Sequence, residues 1–328
     1  MAKSATDNWE VRGWQGIVVT VPPEWDIAAI SGDADQGYMR LDDIENMPRV
    51  EIKWQKAKGF VDIEGVVDKY LTELGRRRRK GEPEIEVDRD CAVVSRRRMK
   101  RKRDLNCFAW HGATDGFGAG WYCEDCKRVM VVQVLALPDE DGLELAGEII
   151  GNLQDHPDGE WITWATYGLQ MQAPERFALS GQKLMAGLIE LQFEDRGEQI
   201  VAARWGMANV ALKDGSLQRW AQREIPPHHK GVRLSYEDTT FRGHPAVEVS
   251  GHFVNPLRHI QAFAMHVAGK PYPEAVRGWV WHSREENRIY YAGVLVDEDR
   301  LELAEQVARR VACPDADATD ADGEEPIR

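Results

Sequence analysis

The sequence predicts an α+β protein of two tandem, pseudo-symmetric domains, each an antiparallel β-sheet packed with two helices. Three observations lead there. The 328-residue chain reads as two copies of one unit set about 150 residues apart. Val21-Pro22-Pro23-Glu24-Trp25 answers Ala173-Pro174-Glu175-Arg176-Phe177, Ile52-Lys53-Trp54 answers Ala203-Arg204-Trp205, and Asp-Glu-Asp-Gly-Leu-Glu-Leu-Ala at 139–146 answers Asp-Glu-Asp-Arg-Leu-Glu-Leu-Ala at 297–304. The offset drifts slowly, as small loop insertions would make it. A period this long marks a duplicated domain, since solenoid repeats recur every 20 to 50 residues or so. Next, each copy alternates strand-like runs with two segregated helical patterns. Short connections make hairpins and cannot make the crossovers of a parallel sheet. Last, residues 155–160, Asp-His-Pro-Asp-Gly-Glu, have the polar, turn-forming composition of a linker. The expected boundaries are 1–156, 157–314 and an acidic, alanine-rich tail at 315–328, expected to be disordered.

The elements follow in order. Residues 16–21 and 167–172 alternate as opening strands and end at proline. Second strands are expected at 37–42 and 186–193, third strands at 49–54 and 199–205. Val66, Val67, Tyr70, Leu71 and Leu74 then recur at helical spacing, answered by Leu217, Trp220 and Ala221. The second half of each copy reads as strand material at 84–94 and 232–250, a strand at 107–111 or 260–267, a hairpin at 120–137 or 278–296, and a closing helix at 143–153 or 300–311. The glycine-rich run at 116–120 reads as a hairpin loop. No helix follows it, so it is not a phosphate-binding loop.

An opening strand ending in Val-Pro-Pro-Glu-Trp, a glycine-led second strand and this order of elements resemble the PsbP/Mog/DcrB-type α+β sandwich domain, present twice. The likeness rests on Pro22 with Trp25 and on Pro174 with Phe177. Members of that class are mostly non-enzymatic assembly or protein-binding factors, so the resemblance implies a binding role and brings no catalytic residues with it.

Composition narrows the function classes. A hydrophobic share of 43% with 30% charged residues is that of an ordinary folded chain. No apolar run approaches the roughly 18 to 20 residues that span a bilayer. The N-terminus lacks the apolar core of a secretory signal, so a cytoplasmic, non-membrane protein is expected. Five cysteines, an odd number, do not suggest a disulfide framework.

The sharpest local motif is Cys123-Glu124-Asp125-Cys126-Lys127-Arg128 between two strand-like runs. A Cys-x-x-Cys turn in a hairpin has the form of a zinc knuckle, in which two thiolates reach one metal. Cys107 and His111 are the expected partners, giving a structural Zn2+ site on Cys107, His111, Cys123 and Cys126. Residues four apart on a straight strand lie about 13 Å apart, so either that strand bends or only one of the pair ligates. Ordinary reduced thiols and a redox dithiol are the alternatives.

The net charge of −13 hides a basic block. Arg76, Arg77, Arg78, Arg79 and Lys80 end the first helix, and Arg96, Arg97, Arg98, Lys100, Arg101, Lys102 and Arg103 precede the cysteine strand. The second copy has no equivalent. The expected function is that of a non-catalytic scaffold or binding protein whose basic face takes an acidic protein partner. The alternatives are a nucleic-acid-binding module using the same block, or a zinc- or histidine-dependent hydrolase drawing on His228, His229, His244, His252, His259, His266 and His282. No two of these histidines have the spacing of a metal-binding helix, and no nucleophile elbow is present.

Overall fold

The computed structural model describes residues 8–77, 83–94, 104–213, 215–229, 231–253 and 272–315. The chain divides into two compact units, Met1–Gly159 with Thr163–Thr166, and Glu160–Ile162 with Tyr167–Arg328. The expected strand at 260–267, His259 and His266, and all but the first residue of the acidic tail lie outside the described residues.

The first unit opens with a hairpin of β1 (Glu10–Trp14) and β2 (Ile17–Val21), and Gly13 of β1 pairs with Ala165 of β10 (Trp161–Thr166). A meander follows: β3 (Asp26–Gly32), β4 (Gln36–Asp42) and β5 (Pro48–Lys56). After α1 (Ile63–Arg77) come β6 (Glu86–Asp88), β7 (Asn106–His111), β8 (Asp115–Tyr122) and β9 (Arg128–Ala136), and α2 (Gly142–Asn152) closes the unit. The seven strands from β3 to β9 form one antiparallel sheet of order β3-β4-β5-β9-β8-β7-β6. Alternation sorts its side chains. Met39, Leu41, Val50, Ile52, Met130, Val132 and Trp121 are buried on one face, and α2 contacts β8, β9 and β2. On the other face Val67, Tyr70 and Leu71 of α1 form a cluster with Phe108, Trp110 and Val131.

The second unit holds β11 (Leu169–Pro174), β12 (Ala178–Met185), β13 (Leu188–Asp195), β14 (Glu198–Gly206), α3 (Ala208–Ala211), α4 (Leu217–Glu224), β15 (Val232–Phe241), β16 (His244–Phe253), β17 (Ala275–Ser283), β18 (Arg288–Val296) and α5 (Glu302–Ala308). Its sheet runs β12-β13-β14-β18-β17-β16-β15. Counted from the first strand of each sheet, the two orders are the same.

The expectation of an α+β fold with two helices per sheet is corrected by these elements. Among the described residues the molecule is sheet-rich, with three sheets and few, short helices; α3 has 4 residues and α5 has 7. The α+β sandwich implied by the PsbP-type resemblance goes with it. The physical reason lies in the connections. Arg196-Gly197 and Arg242-Gly243 both have positive φ, the geometry of two-residue type I′ hairpins that return the chain directly into the next strand. The helical spacing around Trp220 is real but supports only the 8 residues of α4. No helix among the described residues is long and apolar enough to cross a membrane.

Residues 116–120 are not a loop; they lie within strand β8. A glycine-rich strand is weak unless neighbours fill the space left by its missing side chains. Here a Cβ added at Gly116 would collide with the Trp110 ring, one at Gly118 with Phe108 Cζ, and one at Gly120 with Val67 Cγ2. Large side chains from β7 and α1 therefore lie flat on β8. The aromatic residue of each opening motif is likewise core: Trp25 and Phe177 are buried, with the guanidinium of Arg49 over the first ring at 4.3 Å and that of Arg176 over the second at 4.3 Å.

Packing and burial give two expected outcomes. Gly118→Ala also drives its Cβ into the Val132 carbonyl oxygen, a backbone atom that cannot rotate away, and should lower stability by about 1–3 kcal/mol in urea unfolding. In the second unit His229 is buried, with Nε2 2.5 Å from the Tyr291 hydroxyl. Burial first, and neighbouring His228 second, lower its pKa from 6.5 to about 3. The unfolded chain therefore takes up a proton at this site that the folded chain refuses. His229 thus makes acid unfolding progressive as pH falls from 6.5 toward 3. Thermal unfolding measured against pH should show that limb, and His229→Gln should flatten it.

Candidate metal centre

The β8–β9 connection, residues 123–127, is tight. Cys123 N–H donates to the Arg128 carbonyl at 2.9 Å, and Lys127 takes a left-handed φ of 58° to close the turn. This aims both thiols of the Cys-x-x-Cys motif to one side. A second segment meets them there. Leaving α2, the chain pairs Gln154 with Val18 of β2 through two backbone hydrogen bonds of 2.8 Å, which delivers Asp155 and His156 to the turn.

Cys123, Cys126 and His156 place one ligand atom each within 4.8 Å of one another, and Cys123 Sγ is 3.3 Å from His156 Nδ1. Tetrahedral bonds of the usual Zn–S and Zn–N lengths separate neighbouring ligand atoms by roughly 3.4–3.8 Å. The three residues could therefore hold a metal ion. Their surroundings fit that role. His156 Nε2 lies 3.5 Å from Asp125 Oδ2, so Asp125 can take the proton of the ring nitrogen that does not ligate and fix the tautomer. Asp155 is fully buried; its Oδ2 accepts from Trp121 Nε1 at 2.8 Å, and its Oδ1 is 2.8 Å from His156 Nδ1, the nitrogen that also approaches Cys123, so a metal held through Nδ1 would displace that contact. Arg128, also buried, donates to the carbonyls of Gln15 at 3.0 Å and Asp155 at 3.2 Å. Burial pushes the Cys126 thiol up to about 12, against the backbone N–H of Arg128 and with further help from Cys123 and Asp155. Without a cation it stays protonated at neutral pH, and a metal would have to displace that proton.

The zinc knuckle closed by Cys107 and His111 is thus corrected. Those two residues sit toward opposite ends of β7, which runs straight along β8 from Cys107 opposite Ala119 to His111 opposite Asp115. His111 Nδ1 is 3.1 Å from Asp115 Oδ1 and its ring meets Phe117 edge-on. Neither joins a cluster of three metal-ligating groups among the described residues. Sequence reasoning missed His156 because Asp-His-Pro-Asp-Gly has the composition of a linker. Its one local signal was a histidine beside an aspartate directly after a helix.

Of the basic block, Arg76 and Arg77 are exposed at the end of α1; Arg78, Arg79, Lys80, Arg96, Arg97, Arg98, Lys100, Arg101, Lys102 and Arg103 lie outside the described residues. The second-unit histidines have separate engagements. His228 Nδ1 is 3.6 Å from the buried Glu190 carboxylate, His229 meets Tyr291, and His244 Nε2 is 2.7 Å from the Pro314 carbonyl. Among the described residues they form no group of three ligands.

No protein-family model matches the sequence, and no curated protein sequence matches it. Two solved structures align over most of the chain. The apo structure of the immunity protein TplEi of the T6SS from Pseudomonas aeruginosa is 10% identical, with 94% of this chain and 97% of that one covered and a TM-score of 0.34. MucB in complex with MucA(peri) is 13% identical, with 93% and 92% covered and a TM-score of 0.18. Neither superposition amounts to a shared fold.

Elemental analysis of the purified chain should find one bound metal equivalent. Cys123→Ser, Cys126→Ser and His156→Ala should each abolish it, whereas Cys107→Ser and His111→Ala should leave it unchanged.

Proposed function

We propose that this chain is a non-catalytic binding protein whose first unit is braced by a zinc ion on Cys123, Cys126 and His156, and which recognises an acidic partner through the basic segment that begins at Arg76. The observation that carries the zinc is the convergence of two thiols and an imidazole nitrogen from two distant segments within 4.8 Å. Two sulfurs and one nitrogen are the donor set zinc favours over magnesium or calcium. The ion would tie the β8–β9 turn to the segment leaving α2, a structural rather than a substrate-facing place. All five cysteines are free, which suits a reducing compartment such as the cytoplasm. The shared strand order supports descent of the two units from one duplicated ancestor. On that framework the first unit alone carries the basic block.

Binding to an acidic partner through such a block is electrostatic, so it weakens as salt screens the charges. Fluorescently labelled polyglutamate should bind the full chain at low ionic strength and lose affinity steeply as salt rises. Replacing Arg96, Arg97, Arg98 and Arg101 by glutamine should remove most of that binding. Preference for single-stranded DNA over polyglutamate would instead support nucleic-acid recognition by the same segment.

A further inference from the structure

Among the described residues, the first unit has an open groove. Helix α1 sits over β7 and β8 and covers only part of its face of the sheet. Between α1 and strands β3–β5 remains a cavity of about 800 Å3. Tyr38, Lys53, Lys69, Tyr70, Glu73 and Arg77 are among its lining residues. We propose that this groove seats an extended acidic peptide segment, with its carboxylates against Lys53 and Arg77 and its far end reaching Ser31 and Gly32 at the edge of β3. The proposal rests on the acidic-partner reading and gives that partner a place and a chemistry.

Lys53 is the central residue. It is half-buried on β5, directly opposite Tyr38 on β4 and Val131 on β9, and its ammonium lies 4.6 Å above the Tyr70 ring. The neighbouring Glu51 accepts from the Tyr38 hydroxyl at 2.6 Å on Oε1 and from Gln133 Nε2 at 2.7 Å on Oε2; its charge, with that of Glu73, offsets the Lys53 ammonium only in part, because burial and Arg77 act more strongly in the other direction. Burial, and then the charge of Arg77, hold the Lys53 ammonium below its usual range. A half-buried cation next to a second cation gains when an anion enters between them. With Lys69, three cations line the groove among the described residues against the carboxylate of Glu73, with that of Glu51 close by.

The occupant is a peptide for two reasons. Ser31 and Gly32 of β3 border the groove, and among the described residues β3 is the end strand of the sheet, paired with β4 alone. An extended segment can add to such an edge by backbone hydrogen bonds. A single strand of nucleic acid would gain by stacking its bases on aromatic faces. Tyr70 is buried and its face is taken by Lys53, while Tyr38 is tied to Glu51.

The test uses the full chain and a labelled synthetic peptide of alternating glutamate and valine, followed by fluorescence anisotropy at low salt. Lys53→Met keeps the aliphatic stem over Tyr70 and removes the charge; Arg77→Gln is a surface change. Each should weaken binding about tenfold, as loss of a charged contact does, and Lys53→Arg should restore much of it. Binding that ignores Lys53→Met and Arg77→Gln but disappears when Arg96, Arg97 and Arg98 are neutralised would overturn the groove and leave the acidic-partner reading standing. No peptide binding by the wild type at low salt would sink both. An oligothymidylate that displaces the peptide at lower concentration than unlabelled peptide does would overturn the peptide assignment.

Discussion

Strands β3, β4 and β5 make one meander and β6 to β9 another, and only the pairing of β5 with β9 joins them into one sheet. That pairing runs from Val50 opposite Val134 to Lys56 opposite Arg128. Both candidate sites depend on it. Its Lys56–Arg128 end fixes the turn at residues 123–127, and just beyond β5 the Ala57 N–H donates to the Lys127 carbonyl at 2.8 Å, so the metal-binding turn is anchored to the first meander as well as to β8. In the middle, register places Tyr38, Lys53 and Val131 in one row across three strands, which is the floor of the groove. A slip of one residue would send Lys53 into the buried face and Ile52 out of it. The cost is kinetic, since a pairing between segments so distant in sequence closes a long loop before any contact rewards it.

The same period-two rule divides labour between the faces. One face carries the buried row of Met39, Leu41, Val50, Ile52, Met130, Val132 and Trp121, with α2 against β8, β9 and β2. The other is filled only where α1 reaches, and there large side chains substitute for what β8 lacks. Trp110 and Phe108 over the glycines of β8 keep that strand flat enough for the helix to approach, and Val67 fits where a side chain at position 120 would stand. Helix α1 is thereby drawn toward β7 and β8 and away from β3 to β5. The groove follows from where the glycines are.

Much of this was legible in the sequence, and the failures have identifiable causes. Alternation found β2, β4 and β5 nearly to their ends, because half-buried strands write their period directly into the apolar pattern. The glycine run at 116–120 misleads because glycine ordinarily marks a turn, and only the three-dimensional neighbours that fill its faces make it a strand. The closing helix of the second unit was overstated, 300–311 against Glu302–Ala308, because helical spacing in a few residues says nothing of how far it extends, whereas α1 and α2 span the expected segments. The Cys-x-x-Cys turn was visible as a local motif, but its partner was not. Cys107 and His111 lie near in sequence yet far apart along an extended strand, while His156 comes from a segment that looks like a linker and is brought to the site by the Val18–Gln154 bridge and by the Arg128 and Trp121 hydrogen bonds to Asp155. The groove had no sequence signal at all beyond one lysine in a strand.

The second unit shows what the groove is not. On the same strand order, the face equivalent to that of α1 is closed: Trp220 of α4 meets Trp205 of β14 edge-on at 4.9 Å, and Ile225, Val247, Val249, Val280 and Tyr291 complete a continuous core. The turn after α4 adds His228, stacked on Tyr291 at 6.1 Å, and His229 beneath it. Where the first unit leaves Lys53 facing open space, the second uses aromatic rings and neutral histidines to remove that space. A half-buried cation in an unfilled groove is destabilising by itself, and the framework evidently permits a filled alternative.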